Sequence, residues 1–498
     1  MNVNPITRLD YPDPDVIRVE DTYYMISTTM HFMPGCEILQ SFDLVHWEHV
    51  TYVYETLDHT DAQQLKSGQN IYGQGMWAAS LRYHEGRFYI CFVANDTRKT
   101  YLYTSEKIDG PWKKQLIEGF YHDGSLLFDE DGRNYIVYGN DEIWITELNE
   151  DLTAPKKDGL HRLLVSDHKN PELGYEGSHI QKINGYYYIF LIHSLRDRWM
   201  RTEACFYSDS LEGEFTGGDV LCDDRGYCGQ GVAQGGIVDT PDGKWYAMLF
   251  QDFGAVGRIP ILVPVTWKDH FPFFGQNGHV PEEIEVHSTR PGYIYQPLVG
   301  SDDFCNGLLP RWQFNHDPDP RYYHLDALQG TYTITTREVC TELTQAVNTL
   351  TQRMGYPSCA AEVTVDASAL KEGDVAGLCA LQGCYAAVGI TKHHGKYEVL
   401  MLDKKEDGIL DMTEGTVVES HQMDFRLEAD FCNMKDEARC YYRVNKGDWL
   451  PIGTVHKLYF KLDHFTGCRF GLFCYAAEET GGSACFRDFK YYDVDEIS

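Results

Sequence analysis

The sequence has little positive charge for its length. It holds 43 Lys and Arg against 75 Asp and Glu, which gives a formal net charge of −32. A surface this acidic repels phosphate backbones and anionic lipid headgroups. We therefore expect neither nucleic acid nor a membrane as a partner, and a small neutral substrate is favoured.

Long apolar runs and paired metal-binding motifs are also missing. No segment is apolar for long enough to span a bilayer, and residues 1–10 show no basic region followed by an apolar stretch. The 15 cysteines include no CxxC pair, so a zinc site has no support. An irregular, odd set of cysteines without an export signal is typical of reduced, buried thiols. We therefore expect a cytoplasmic protein without a zinc site.

The sequence also lacks long stretches with helical periodicity. It has instead short segments in which apolar and polar residues alternate, as in β-strands. The segment Tyr135-Ile136-Val137-Tyr138 is one example. The length of 498 residues predicts at least two domains. Aromatic residues make up 13% of the chain, with 34 Tyr, and flat aromatic rings suit sugar faces. Strand-rich proteins carry many Tyr for other reasons, so composition alone leaves both interpretations open.

A short sequence motif recurs at a spacing of about 50 residues. It consists of a tight turn followed by an aromatic strand, and this repeated phrase is found in five copies. The copies are Glu20-Asp21-Thr22-Tyr23-Tyr24, Glu85-Gly86-Arg87-Phe88-Tyr89, Asp131-Gly132-Arg133-Asn134-Tyr135, Asn184-Gly185-Tyr186-Tyr187-Tyr188 and Asp242-Gly243-Lys244-Trp245-Tyr246. The turn residues are those that β-hairpins require. Copies at this spacing match the blades of a β-propeller. The sequence therefore predicts an all-β fold that begins with a five-bladed propeller.

The repeat also aligns one residue in each copy. Counting back 12 residues from the last Tyr of a phrase, or 11 in the degenerate first copy, gives Asp13, Trp77, Asp123, Glu176 and Gln234. The first strand of each blade lines the central channel, so these side chains should converge on one axis. Three carboxylates in one funnel repel one another and lose hydration, a cost that catalysis explains better than structure does.

Each motif taken alone has a simpler interpretation. Tyr11-Pro12-Asp13-Pro14-Asp15 and Asp123-Gly124-Ser125 are both turn-forming sequences, and Glu176-Gly177 by itself indicates nothing. The functional hypothesis therefore depends on the shared register of the three acids.

The repeat ends before residue 290. Pro281 to Gly300 contains Pro291-Gly292 and reads as a linker. Later segments such as Ala361-Glu362-Val363-Thr364-Val365 alternate regularly, which favours a β-sandwich. We expect a catalytic propeller over residues 1–290 and an accessory β-sandwich over residues 302–498.

Several motifs together resemble glycoside hydrolase family 43, in its β-xylosidase and α-L-arabinofuranosidase branch with a C-terminal concanavalin-like domain. The motifs are Tyr11-Pro12-Asp13-Pro14-Asp15, Met33-Pro34-Gly35, Ser41-Phe42-Asp43-Leu44-Val45-His46-Trp47, Gly75-Met76-Trp77-Ala78, His122-Asp123-Gly124-Ser125-Leu126, Tyr175-Glu176-Gly177-Ser178-His179, Gly257-Arg258 and Arg311-Trp312-Gln313-Phe314-Asn315-His316. Their order and spacing cover nearly the whole chain.

The resemblance implies an inverting, exo-acting hydrolase that releases terminal α-L-arabinofuranose, β-D-xylose or both from short plant-polysaccharide-derived chains. It makes Asp13 the general base, Glu176 the general acid and Asp123 the residue that aligns substrate and raises the pKa of the acid. Inversion requires the two reacting carboxyls to stand roughly 6.5–9.5 Å apart.

The resemblance also implies substrate-binding roles. Phe32 and Trp77 match positions that shape the sugar subsite, and Gln234 completes the channel register. Arg258 matches an arginine at the pocket floor, where we expect it to hold Asp123 or Glu176.

Some features depart from the family pattern or stay open. Gly124 stands where many members have proline. Some members hold an axial calcium ion through histidine, and Gln234 in the nearest register puts that ion in doubt. No cofactor is required, while a structural or axial calcium ion and a homo-oligomer are left open. The alternatives are a non-catalytic carbohydrate-binding propeller and another five-bladed enzyme, a fructosidase or a phosphorylase.

Overall fold

The computed structural model describes residues 3–493. Within that part, regular structure consists of β-strands and four short 3₁₀ turns, at Lys66–Gly68, Gly254–Val256, Leu343–Gln345 and Cys432–Met434. No helix of the described chain has the length and apolar character needed to cross a membrane. The predicted all-β class is confirmed.

The first half of the described chain contains 21 strands, and all of them except β3 form five antiparallel sheets of four strands each. The strands are β1 Asp15–Val19, β2 Thr22–Ile26, β3 Phe32–Met33, β4 Gly35–Ser41, β5 Glu48–Tyr54, β6 Met76–His84, β7 Arg87–Ala94, β8 Lys99–Ser105, β9 Lys113–Ile117, β10 Ser125–Phe128, β11 Asn134–Asn140, β12 Glu142–Leu148, β13 His161–Ser166, β14 Glu176–Ile183, β15 Tyr186–Ser194, β16 Arg201–Ser208, β17 Thr216–Leu221, β18 Ile237–Asp239, β19 Trp245–Asp252, β20 Arg258–Lys268 and β21 Phe271–Phe274. The blades are β1-β2-β4-β5, β6-β7-β8-β9, β10-β11-β12-β13, β14-β15-β16-β17 and β18-β19-β20-β21. The predicted five-bladed propeller is confirmed.

The repeated phrase forms the first hairpin of a blade. Strands β6 and β7 pair His84 with Arg87, so Glu85-Gly86 is a two-residue turn. Both turn residues have positive φ, 48° for Glu85 and 79° for Gly86. Type I′ turns need this left-handed backbone, and glycine adopts it without a Cβ clash.

The second half of the chain is a β-sandwich of two antiparallel sheets. Its strands are β22 Gln313–Asn315, β23 Tyr323–Asp326, β24 Thr331–Thr335, β25 Leu350–Arg353, β26 Ser358–Asp366, β27 Asp374–Leu381, β28 Tyr385–His393, β29 Lys396–Lys404, β30 Leu410–Met412, β31 Thr416–Val418, β32 Gln422–Asp430, β33 Glu437–Val444, β34 Leu450–Lys457, β35 Arg469–Ala476 and β36 Ser483–Asp493. One sheet has the order β3-β22-β25-β35-β27-β28-β29-β30, with β31 also on β29, and the other has β23-β24-β36-β26-β32-β33-β34. The predicted β-sandwich is confirmed.

The two halves share one apolar core. The largest buried cluster runs from Phe190 and Ile259 of the propeller to Leu350 and Phe470 of the sandwich. Strand β3 of the propeller even joins a sandwich sheet, pairing Phe32 with Asn315. Burial of this continuous apolar surface favours a fixed arrangement of the two halves.

All 15 cysteines are unpaired. Nine of them are buried, as expected for reduced thiols, but Cys222, Cys228, Cys305 and Cys432 are exposed.

Candidate active site

One pocket at the mouth of the propeller channel collects all five residues selected by the repeat register. Its lining residues are Asp13, Trp77, His122, Asp123, Leu173, Glu176, Trp199, Arg201, Gln234, Arg258, Leu462 and Phe465. The last two come from the sandwich. A wider depression opens at the other end of the channel, but its cationic side chains Arg18, Arg82 and Lys182 are each paired with an aspartate. The convergent acids therefore mark the smaller pocket as the candidate active site.

The backbone is strained at three of these positions. Asp13, Asp123 and Gln234 have φ values of 53°, 48° and 61°, in the left-handed region that non-glycine residues seldom occupy. Such conformations cost on the order of 1–3 kcal/mol each and cluster at functional sites. The equivalent positions of three blades thus share one unusual backbone shape that directs side chains into the channel mouth.

Asp13 is fixed by two donors. Its Oδ1 accepts a hydrogen bond from Nη1 of Arg258 at 2.7 Å, and its Oδ2 accepts one from the Thr28 hydroxyl at 2.5 Å. The residue is only 3% exposed. We expected Arg258 to hold Asp123 or Glu176, and its hydrogen bond goes to Asp13 instead. The result is an oriented, charge-paired carboxylate.

A second carboxylate lies beneath the arginine. Nε of Arg258 is 3.3 Å from Oδ1 of Asp252, and Arg201 also pairs with Asp252. Burial, followed by the nearby charge of Arg258, lowers the pKa of Arg201 to about 9. Two guanidinium groups and two carboxylates therefore alternate along the pocket floor, where each charge is compensated by a neighbour.

Asp123 anchors the segment that carries the predicted acid. Its Oδ2 accepts a hydrogen bond from the backbone N–H of Gly177 at 3.0 Å, and its backbone oxygen accepts one from the Ser178 hydroxyl at 2.7 Å. Burial raises the pKa of Asp123 to about 6, against the opposing charge of His122. Asp123 thus sets the position of the residue directly before Gly177.

Glu176 receives a donor that sequence reasoning missed. The side-chain amide of Asn140 donates to its Oε2 at 2.8 Å. Burial acts to raise the pKa of Glu176, but the neighbouring His122 and then Arg258 outweigh it, so the pKa is lowered. We expected Asp123 to raise the pKa of Glu176. In the structure the raised pKa belongs to Asp123, where burial is the largest influence, whereas His122, Arg258 and Arg201 together lower the pKa of Glu176.

His122 is the second residue that sequence reasoning left without a role. Its Nε2 lies 3.5 Å from Oδ2 of Asp123 and 3.6 Å from Oε2 of Glu176. Burial acts to lower the pKa of His122, yet the charges of Asp123 and Glu176 raise it to about 9. The sequence did offer a clue to His122, because it directly precedes Asp123. Two neighbouring residues in the turn that enters a blade's first strand can both line the mouth of the channel.

The sandwich closes one side of the pocket. Phe465 meets Trp77 edge to face, with 5.2 Å between ring centroids. The guanidinium carbon of Arg258 lies 3.8 Å from the centroid of the Phe465 ring, a cation–π contact. Trp77 therefore lies in the pocket as predicted, opposite an aromatic ring supplied by the other half of the chain.

Gln234 packs beneath the acid. Its backbone N–H donates to Oε2 of the buried Glu203 at 2.7 Å. A Cβ added to Gly177, whose φ is 64°, would lie 2.7 Å from Cγ and Cδ of Gln234. The close contact requires glycine after Glu176, which explains that part of the motif.

Phe32 lies outside the pocket. It is 2% exposed, and the guanidinium carbon of Arg469 sits 3.4 Å from its ring centroid. Because β3 pairs with the sandwich strand β22, the ring turns into the seam between the two halves. The expected contact between Phe32 and the sugar has no support in this geometry.

The channel axis does not fit a calcium ion. Oδ1 of Asp15 lies 3.1 Å from Nδ1 of His179, and its Oδ2 accepts hydrogen bonds from Arg82 and from the N–H of Leu81. Arg82 also donates to Ser125 across the channel. Calcium prefers six to eight oxygen ligands, about 2.3–2.6 Å away. The guanidinium of Arg82 supplies the positive charge next to Asp15 instead.

Acidic side chains that converge in a propeller pocket, with a wall of aromatic rings, define a carbohydrate-active hydrolase as the class of protein. A family model described as glycosyl hydrolases family 43 matches residues 3–272. A second model, the beta-xylosidase C-terminal concanavalin A-like domain, matches residues 301–492. The chain therefore belongs to glycosyl hydrolase family 43.

Three relatives illustrate the likeness. A solved structure described as a bifunctional GH43-CE protein of Bacteroides eggerthii is 42% identical, with a TM-score of 0.92 over 98% of this chain and 63% of that one. The chain thus spans less than two thirds of that relative. A solved GH43 glycoside hydrolase, engineered to display both endo-xylanase and exo-arabinofuranosidase activity, is 27% identical, with a TM-score of 0.86 over 99% of both chains. A beta-xylosidase of Formosa agariphila is 27% identical over 99% of this chain and 89% of its own length.

Proposed function

We propose that the protein is an exo-acting, inverting glycosidase that removes terminal α-L-arabinofuranosyl or β-D-xylosyl residues from short neutral oligosaccharides. The observation that carries the proposal is the pairing of Asp13 with Arg258 in a pocket that Glu176 also lines. One group is held as a charged base, and the other can exchange a proton.

In the proposed mechanism Asp13 removes a proton from a water molecule, which attacks the anomeric carbon. Glu176 donates a proton to the departing oxygen, so the glycosidic bond breaks as the new bond forms. Since Asn140 occupies Oε2 of Glu176, Oε1 is the oxygen that can carry the donated proton. Asp123 holds Glu176 in place through Gly177. These steps use side chains alone and need no cofactor.

Exo action is supported by the closure of the pocket. Phe465 of the sandwich contacts Trp77 of the propeller and lines the same pocket, so the second domain bounds the site, as suits a single terminal sugar. The pentose assignment draws on the names of the relatives, one a beta-xylosidase and another with exo-arabinofuranosidase activity. The net charge of −32 favours a neutral substrate.

We further propose that the enzyme works in a reducing compartment such as the cytoplasm. Exposed unpaired cysteines support this location, because Cys222, Cys228, Cys305 and Cys432 would oxidise readily elsewhere.

Proton NMR of the first-formed sugar tests the proposal. An aryl β-D-xyloside should yield α-xylose first, and an aryl α-L-arabinofuranoside should yield β-arabinofuranose first. A first product of retained configuration would point to a covalent glycosyl-enzyme and refute Asp13 as a base acting through water. Lack of turnover on both substrates would refute the pentose assignment.

A further inference from the structure

The proposed mechanism gives no task to His122, although it approaches both members of the acidic pair. Its Nε2 is within 3.6 Å of both Asp123 and Glu176. The imidazole is only 20% exposed, and Nε2 has no hydrogen-bond partner within the described chain. A side chain held at this distance acts on the two carboxylates through its charge.

The surroundings of His122 favour its cationic form. Asp123 adjoins it in sequence, Glu176 faces it from the start of β14, and the charge of Asp13 also reaches it. Trp77 is the neutral neighbour from β6, with 6.2 Å between ring centroids. These acids raise the pKa of His122 to about 9, so the imidazole holds its proton at neutral pH.

A charge count shows why a third cation matters. The pocket and its floor combine four carboxylates with two guanidinium groups: Asp13, Asp123, Glu176 and Asp252 with Arg201 and Arg258. The acid must carry one proton before each turnover, which leaves three negative charges against two positive ones. A poorly solvated pocket disfavours such an excess. The positive charge of a protonated His122 neutralises this excess negative charge.

We propose that His122 is a positioning residue whose positive charge holds the Asp123–Glu176 pair at one shared proton, the state from which Glu176 protonates the leaving group. The inference rests on the proposed function. Without this cation the pair would retain its protons to higher pH, because each lost proton would leave an uncompensated negative charge.

The pH dependence of kcat/KM in His122→Gln tests the proposal. Both limbs of the profile should move to higher pH by about one pH unit or more, since a unit charge about 4 Å away is worth several kcal/mol at a dielectric constant near 20. His122→Lys should return the limbs toward the wild-type positions, because it restores the charge. His168→Gln, an exposed histidine outside the pocket, is the matched control and should leave the profile unchanged.

A uniform loss of rate without a shifted profile in His122→Gln would overturn the proposal and leave His122 a packing role. An unchanged profile would overturn it as well. If the variant does not fold, NMR of ¹⁵N-histidine-labelled wild-type enzyme decides, since a neutral His122 ring at pH 7 contradicts the proposal and a protonated ring supports it. Wild-type turnover and product anomer are measured first. Failure of the proposed function therefore shows in the wild type, and failure of this inference shows only in the variants.

Discussion

Three buried histidines at the seam between propeller and sandwich predict a specific weakness to acid. The ring of His31 contacts the rings of His316 and His464, at centroid distances of 4.8 and 5.4 Å. Nε2 of His316 accepts a hydrogen bond from the N–H of Ile71, so this ring is held as a neutral acceptor. Protonation of any of the three would place a charge among its neighbours without a partner.

The size of the effect follows from the pKa shifts. Burial lowers the pKa of His464 from 6.5 to about 4, and burial together with the charge of His464 lowers that of His316 to about 3. A lowered pKa in the folded state gives stability that is present above pH 6.5 and is lost as pH falls toward the folded value. Linkage then gives a loss of about 2.5 kcal/mol for each of His316 and His464 between pH 7 and pH 4.5.

The perturbation is His464→Phe, which keeps a ring and removes the titrating group. Urea unfolding, followed by tryptophan fluorescence, is compared at pH 7 and pH 4.5 for the variant and the wild type. The variant should lose about 2.5 kcal/mol less than the wild type over this range. His287→Phe, at an exposed position, should behave as the wild type does. Equal acid losses in His464→Phe and the wild type would refute the assignment of a neutral, buried His464.

Three further changes test the site. Glu176→Ala should lose far more rate on alkyl glycosides than on nitrophenyl glycosides, because a nitrophenolate scarcely needs a proton, and equal losses would remove Glu176 as the donor. Phe465→Ala removes the contact with Trp77 and should lower kcat/KM by about 10-fold or more, roughly 1.4 kcal/mol, while the propeller stays folded. An unchanged kcat/KM would show that the ring does not face substrate. The Asp10 carboxylate accepts a hydrogen bond from the N–H of Gly467, two residues after Phe465. Asp10→Asn should therefore lower the free energy of unfolding in urea by about 1–3 kcal/mol and raise KM. An unchanged KM would show that this contact between the two halves does not affect substrate binding.

The repeat register predicted the site because a propeller converts equivalent chain positions into convergent ones. Five blades placed Asp13, Trp77, Asp123, Glu176 and Gln234 around one pocket, as counting along the sequence had indicated. Local signals were sufficient for this step, since every one of these residues belongs to the same turn-and-strand unit.

Contacts between segments far apart in the sequence could not be predicted from the repeat. Arg258 pairs with Asp13 across 245 residues, and Phe465 reaches the pocket from the sandwich. No repeat relates these positions. Phe32 turned into the seam because its two-residue strand pairs with Asn315, a contact that local patterns do not encode. Arg82 pairs with Asp15 and Ser125 near the axis, a contact that the sequence did not indicate when it left an axial calcium ion open.

The central claim, that Asp13 activates water, is tested most directly by Asp13→Ala. The melting temperature and the turnover of an activated aryl glycoside are measured on the same preparation. The proposed mechanism predicts a folded protein with almost no turnover on any substrate, because water activation is needed whatever the leaving group. A folded Asp13→Ala enzyme that keeps more than about a tenth of the activity, a loss under roughly 1.4 kcal/mol of barrier, would contradict the assignment.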